Sequence, residues 1–126
     1  MSLDIQVSEH GAGIKKVDLR GRLDTLTAPE LDAALAAPAL NNTKTLVFDM
    51  AGLDYISSAG LRCILVANKA MKANMGRTCI LSLQPQIRKV FEVVRALPDV
   101  PIFKDDAEMD DYLDLIQRRA LGEDTE

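Results

Sequence analysis

The stretch "KTLVFDMAGLDYISSAGLRCILVANKAM", Lys44 to Met71, holds three kinds of chain in succession. "KTLVFDM" is short and almost wholly apolar, the mark of a central strand covered on both faces. From Leu61 the pattern changes to helical spacing. Leu61, Ile64, Leu65, Asn68 and Met71 fall on one face, while Arg62, Lys69 and Lys72 point elsewhere. "AGLDYIS" reads as the loop between strand and helix, and Ser57 and Ser58 stand where that loop becomes helix. A strand that feeds a helix is the unit of an α/β fold.

The flanking sequence repeats that unit. "LDIQVSE" alternates Leu3, Ile5 and Val7 at period two, "HGAG" is a turn, and "IKKVDLRGRL" follows as a second strand, so the chain opens with a hairpin. "TAPELDAALAA" predicts a helix with Thr27 as N-cap, Glu30 at capping-box spacing and Pro29 in the first turn. "RTCILSL" is a further buried strand. "PQIRKVFEVVRA" is a helix striped by Ile87, Val90, Phe91 and Val94, "VPIF" a short last strand, and "DDAEMDDYLDLIQRRA" a final helix. The expected order is β-β-α-β-α-β-α-β-α: one α/β domain over residues 1–120, with about four helices on a mixed, largely parallel sheet of about five strands. "LGEDTE", residues 121–126, reads as a frayed tail, and the order of strands within the sheet is not readable.

Composition narrows the function. A chain of 126 residues builds one buried core, here from Leu, Val, Ile, Ala and Met, since aromatics are 4% and Trp is absent. A net charge of −4 argues against a nucleic-acid binder that works by phosphate neutralisation. The acid is uneven, with seven carboxylates between Asp99 and Asp114 against the single Lys104. No apolar run approaches the roughly 18 residues of a membrane span, and "MSLDIQVSEHG" lacks the features of a signal peptide, so a cytoplasmic protein is expected. Cys63 and Cys79 lie in apolar periodic segments and read as buried free thiols.

Three roles compete for the paired serines. A nucleophile elbow requires G-x-S-x-G, but Ile56 occupies the first glycine position before Ser58, and the one histidine, His10, lies in a distant turn. One histidine and two buried cysteines make no metal site, and no phosphate-binding glycine loop is present. Helix capping is the simplest role, worth roughly 1 kcal/mol. The third role is modification: a helix N-terminus tolerates the nearly two negative charges of a phosphate without melting, and Asp24 and Asp54 could add to the charge there. Leu53, Tyr55 and Ile56 in the preceding segment suit either core anchors or a docking surface.

"GRLDTLTAPEL" followed by "LVFDMAGLDYISSAGLRCIL" resembles the STAS domains of bacterial anti-sigma factor antagonists, and the resemblance extends over essentially the whole chain. Gly21, Leu23 and Asp24 match a G-x-L-D segment that ends the second strand. Ser57-Ser58-Ala59-Gly60-Leu61 stands at a D-S-[ST]-G-L-type helix start, with Ser57 and Ala59 departing from that pattern. The alignment of Gly60-Leu61 puts Ser58 at the family's phosphoacceptor position and leaves Ser57 as the rival. The resemblance implies a non-enzymatic regulator without a cofactor or small-molecule substrate. Its unphosphorylated form would bind an anti-sigma factor kinase of the histidine-kinase-like ATPase type and so free a sigma factor. Phosphorylation would end the interaction and a PP2C-type phosphatase would restore it. Asp24, Thr25, Leu53, Tyr55, Ile56, Ser57, Gly60 and Arg62 are the expected partner-binding residues. The alternatives are a STAS module that regulates a signalling enzyme or transporter, and a weak nucleotide-binding domain.

Overall fold

The structure is a computed structural model that describes residues 2–11, 13–36, 42–94 and 100–120. The expected tail, 121–126, lies outside them. The elements are β1 (Leu3–Glu9), β2 (Ile14–Leu23), α1 (Ala28–Ala34), β3 (Thr45–Ile56), α2 (Ser58–Ala73), β4 (Arg77–Leu81), α3 (Pro85–Val94), β5 (Ile102–Phe103) and α4 (Asp106–Ala120). Their order is the expected one. The sheet order is β1-β2-β3-β4-β5, so each strand pairs with its neighbour in sequence. Only the β1–β2 hairpin is antiparallel; the other pairs are parallel, each joined through a helix.

Alternation along β3 sorts the core into two layers. Leu46, Phe48 and Met50 face the large cluster, which takes Leu31 from α1, Leu61 and Ile64 from α2, and Ile87 and Phe91 from α3. Val47, between them, points the other way, where Cys79, Leu81, Phe103 and Met109 of α4 form a smaller cluster. Of the α3 stripe, the Val94 side chain lies outside the described ones.

Two expectations need correction. The "AGLDYIS" loop is strand: β3 continues to Ile56, with Arg20 opposite Gly52, Gly21 opposite Leu53 and Leu23 opposite Ile56. Beyond Asp49, the last residue paired with β4, this end of β3 pairs with β2 alone among the described strands. Register shifts between Asp18 and Arg20 and between Gly21 and Arg22 break the period-two pattern that would have marked it. The Thr27–Glu30 capping box does not form either. Thr27 makes no side-chain cap, because its hydroxyl is drawn back toward β2.

The face of the sheet that carries the smaller cluster also bears a carboxylate pair. Asp18 of β2 sits opposite Asp49 of β3, and Lys16 Nζ lies 3.3 Å from the Asp49 carboxylate. Burial, then the charge of Asp49 and a shared hydrogen bond, raise the Asp18 pKa; Lys16 and Arg20 offset part of the rise. A carboxyl that holds its proton more tightly when folded loses stabilising effect as pH climbs through its raised pKa. Replacing Asp18 by Asn should therefore raise the melting temperature at neutral pH, and by less near pH 4. An unchanged or lower melting temperature for Asp18→Asn at pH 7 would show that the pair is not repulsive.

Candidate functional site

Strands β2 and β3 end side by side, with Arg22 opposite Tyr55 and Leu23 opposite Ile56. The next residue, Ser57, stays extended (φ −94°, ψ 175°), and its N–H donates to the Leu23 carbonyl at 2.9 Å. The parallel ladder thus runs one residue past the strand and fixes where α2 begins. Ser57 Oγ accepts from the Gly60 N–H at 3.2 Å, so Ser57 is the cap and Ser58 the first helical residue. Ser57 is half-buried. Ser58 is exposed and its side chain makes no hydrogen bond among the described residues. The first intrahelical bond comes from Leu61 N–H to the Ser57 carbonyl at 2.9 Å, leaving the Ser58 and Ala59 amides ahead of the ladder.

Gly60 explains the closeness of helix and strand. A Cβ there would lie 2.5 Å from Leu23 Cγ and 2.9 Å from the Leu23 carbonyl oxygen. With only hydrogen at that position, the first turn of α2 rests directly on the end of β2.

The chain leaving β2 makes a turn closed by Asp24 and Thr27. Asp24 Oδ1 accepts from Leu26 N–H at 3.0 Å, Thr27 N–H at 3.1 Å and Thr27 Oγ1 at 3.2 Å. Thr27 Oγ1 also reaches the Arg22 carbonyl at 2.8 Å and accepts from the Asp24 N–H at 2.8 Å. The backbone bond from Thr27, followed by bonds from its hydroxyl and from Leu26 and the charge of Arg22, holds the Asp24 carboxyl below the usual carboxylate range, against partial desolvation. Its other oxygen lies 3.6 Å from Arg22 Nε, and the Arg22 guanidinium stacks 4.0 Å over the Tyr55 ring.

Between α1 and α2, beside this turn, runs a groove of about 440 Å³. Thr25, Pro29 and Asp32 line one side; Ala59, Arg62 and Val66 line the other. Cys63 lies in it with Sγ 3.6 Å from the Ala28 carbonyl oxygen. Burial, with the nearby Asp32, pushes the Cys63 thiol up to about 12, and burial pushes Cys79 to about 11, so neither is a nucleophile at neutral pH. His10 is held elsewhere, with Nε2 3.7 Å from Asp110 Oδ1 on α4.

The expected partner-binding residues therefore separate. Thr25, Tyr55, Ser58 and Arg62 are exposed around one helix start, and Ser57 is half-buried there. Leu53 and Ile56, at 0% and 6% exposure, belong to the core and are unavailable to a partner in this conformation. Gly60 is buried against Leu23. Asp24 uses its carboxylate within its own turn. Asp54, the other acid expected near the serines, is approached by Gln84 Nε2 at 3.5 Å. Leu26, Asp32 and Val66 are not marked by the sequence, and Pro29 is marked there only as a first-turn helix residue; the one signal is an apolar residue, Leu26, inside the turn sequence "DTLT".

With this geometry the chain is a domain of the STAS family, and it belongs there by sequence as well: the STAS domain model matches residues 5–109. A relative in Bordetella bronchiseptica, BtrV, assigned as an anti-sigma factor antagonist, is 37% identical over 84 residues, covering 67% of this chain and 72% of BtrV. The chain is thus of the anti-sigma factor antagonist kind. Its fold is also that of the antagonist SpoIIAA in its unphosphorylated form, with TM-score 0.68, 23% identity, and coverage of 90% of this chain and 98% of that one. The Bacillus cell fate determinant SpoIIAA in its phosphorylated form gives TM-score 0.70 at 22% identity, covering 87% of this chain and 99% of its own.

The Gly60 contact is directly testable. Gly60→Ala forces its methyl into Leu23 and should cost about 1–3 kcal/mol in urea denaturation, where alanine in an unobstructed helix would gain about 1 kcal/mol. A neutral or stabilising result would mean that helix and strand are not in this close contact.

Proposed function

We propose that this protein is an anti-sigma factor antagonist controlled by phosphorylation of Ser58. In the unphosphorylated form it binds an anti-sigma factor serine kinase of the histidine-kinase-like ATPase type, which then releases its sigma factor. The kinase turns the switch off: Ser58 Oγ attacks the γ-phosphorus of ATP, a kinase base takes the hydroxyl proton, and ADP leaves. A PP2C-type phosphatase hydrolyses the ester and restores binding. The antagonist is a ligand and a substrate in this cycle, and its site of action is the cell interior where ATP is available.

One observation carries the reading: Ser58 is exposed, and unbonded among the described residues, at the first position of a helix whose cap is already supplied by Ser57. The neighbouring serine is a poorer acceptor, since its hydroxyl is half-buried and engaged with the Gly60 amide. A phosphate on Ser58 would meet the free Ser58 and Ala59 amides and the positive end of the α2 dipole, a favourable setting. It would not have to displace a packed side chain. The likeness to BtrV supports the client assignment.

With kinase and ATP, the wild-type protein should gain one phosphate, and Ser58→Ala should gain none. Ser58→Asp should keep the wild-type melting temperature within about 5 °C while binding the kinase at least about tenfold more weakly, since one charge at a helix start is worth no more than about 1 kcal/mol to the fold. A phosphate that persists in Ser58→Ala, or unweakened binding by Ser58→Asp, would refute the switch.

A further inference from the structure

The most exposed large apolar side chain near the proposed switch is Leu26, at 85% exposure. It occupies the tip of the β2–α1 turn. Turn tips normally carry polar residues, and a leucine left in water there contributes nothing to the core. The turn is also unusually well fixed. The Leu26 amide is bound by Asp24 Oδ1, the next residue is 3% exposed, and the Thr27 hydroxyl ties the turn back to the Arg22 carbonyl. Leu26 is therefore presented on a backbone that has little left to lose on binding, the condition under which a single apolar side chain gives most affinity.

Its neighbours tie it to the strand end on which the Ser58 helix starts. Leu23, one residue before the turn, accepts the Ser57 amide and carries Gly60. Thr25 lines the groove with Ala59, Arg62 and Val66, and Val66 is itself 58% exposed. A kinase that brings ATP to Ser58 Oγ must cover the surface around it, and the β2–α1 turn is bonded to the same strand end. The chemistry at Ser58 thus selects the occupant.

We propose that Leu26 is the apolar anchor by which the serine kinase of the proposed cycle docks on this protein, and that Asp24 acts indirectly by holding Leu26 in its bound pose. The inference rests on the phosphorylation reading above and deepens it. In this arrangement Leu26 fills an apolar pocket on the kinase, while the groove beside it receives the kinase surface flanking that pocket. Asp24 is a positioning residue: its carboxylate faces the Leu26 and Thr27 amides, and its loss would loosen the turn without removing any contact to the kinase.

The experiment uses the full chain and purified histidine-kinase-like serine kinases from the same genome, with binding measured by calorimetry and phosphorylation by intact mass. Leu26→Ala should weaken kinase binding at least about tenfold, leave the melting temperature unchanged or higher, and leave the Ser58 phosphorylation rate at saturating kinase within about twofold. Asp24→Ala should also weaken binding, and adding Leu26→Ala to it should cost under about threefold more, because the pair acts as one unit. If wild type is bound and phosphorylated on Ser58 but Leu26→Ala binds within twofold of it, the anchor is wrong and the switch stands. Fully additive losses would overturn the positioning role of Asp24. If none of those kinases binds the wild type, both the anchor and the switch fall.

Discussion

Everything functional in this domain depends on one close approach, the first turn of α2 against the end of β2. The Ser57 amide completes the parallel ladder on the Leu23 carbonyl at 2.9 Å, and Gly60 lets the helix backbone settle on Leu23 itself. These two features fix the position and direction of α2 before any of its own side chains pack. Ser57 then caps the helix, which commits the first serine to structure and leaves the second to solvent. An exposed hydroxyl is thereby carried on a rigid element, at the end of a sheet, with no part in the core.

The same strand end also organises the neighbouring turn. Asp24 accepts two backbone amides and a hydroxyl, and those bonds account for its depressed pKa. Its role is local: it shapes the turn that exposes Thr25 and Leu26. On the other side, Arg22 stacks on Tyr55 and approaches Asp24 at 3.6 Å, so this guanidinium is already engaged within the surface. A phosphate on Ser58 would bring nearly two negative charges to this surface. An interface that fits the neutral hydroxyl would then meet a dianion.

The order of elements was legible in the sequence because the helices and strands are set off by turn residues and most carry a period or an apolar run of their own. Strand order was not, since it depends on which faces pack together, and no local pattern encodes that. The end of β3 reads as a loop in the sequence for a specific reason. From Ala51 to Ile56 the strand has lost its β4 neighbour, and register shifts scramble its alternation, so only Leu53 and Ile56 keep apolar character inward. Those two residues looked like surface candidates and are core. The serine pair was readable as a site, whereas the division of labour between Ser57 and Ser58 needed the helix boundary. Leu26 is only a weak signal in the sequence, since a lone leucine in a turn gains meaning once its exposure is known.

Phosphate on Ser58, in the proposed switch, changes a surface and leaves the fold intact. Amide NMR spectra of the unphosphorylated and Ser58-phosphorylated protein compare the two states residue by residue. Shift changes confined to about residues 22–27 and 55–66, with the amides of β4, β5 and α4 unmoved, are the expected result. Changes spread through β4 and α4, or loss of dispersion across the spectrum, would contradict it and make the phosphate a perturbation of the fold.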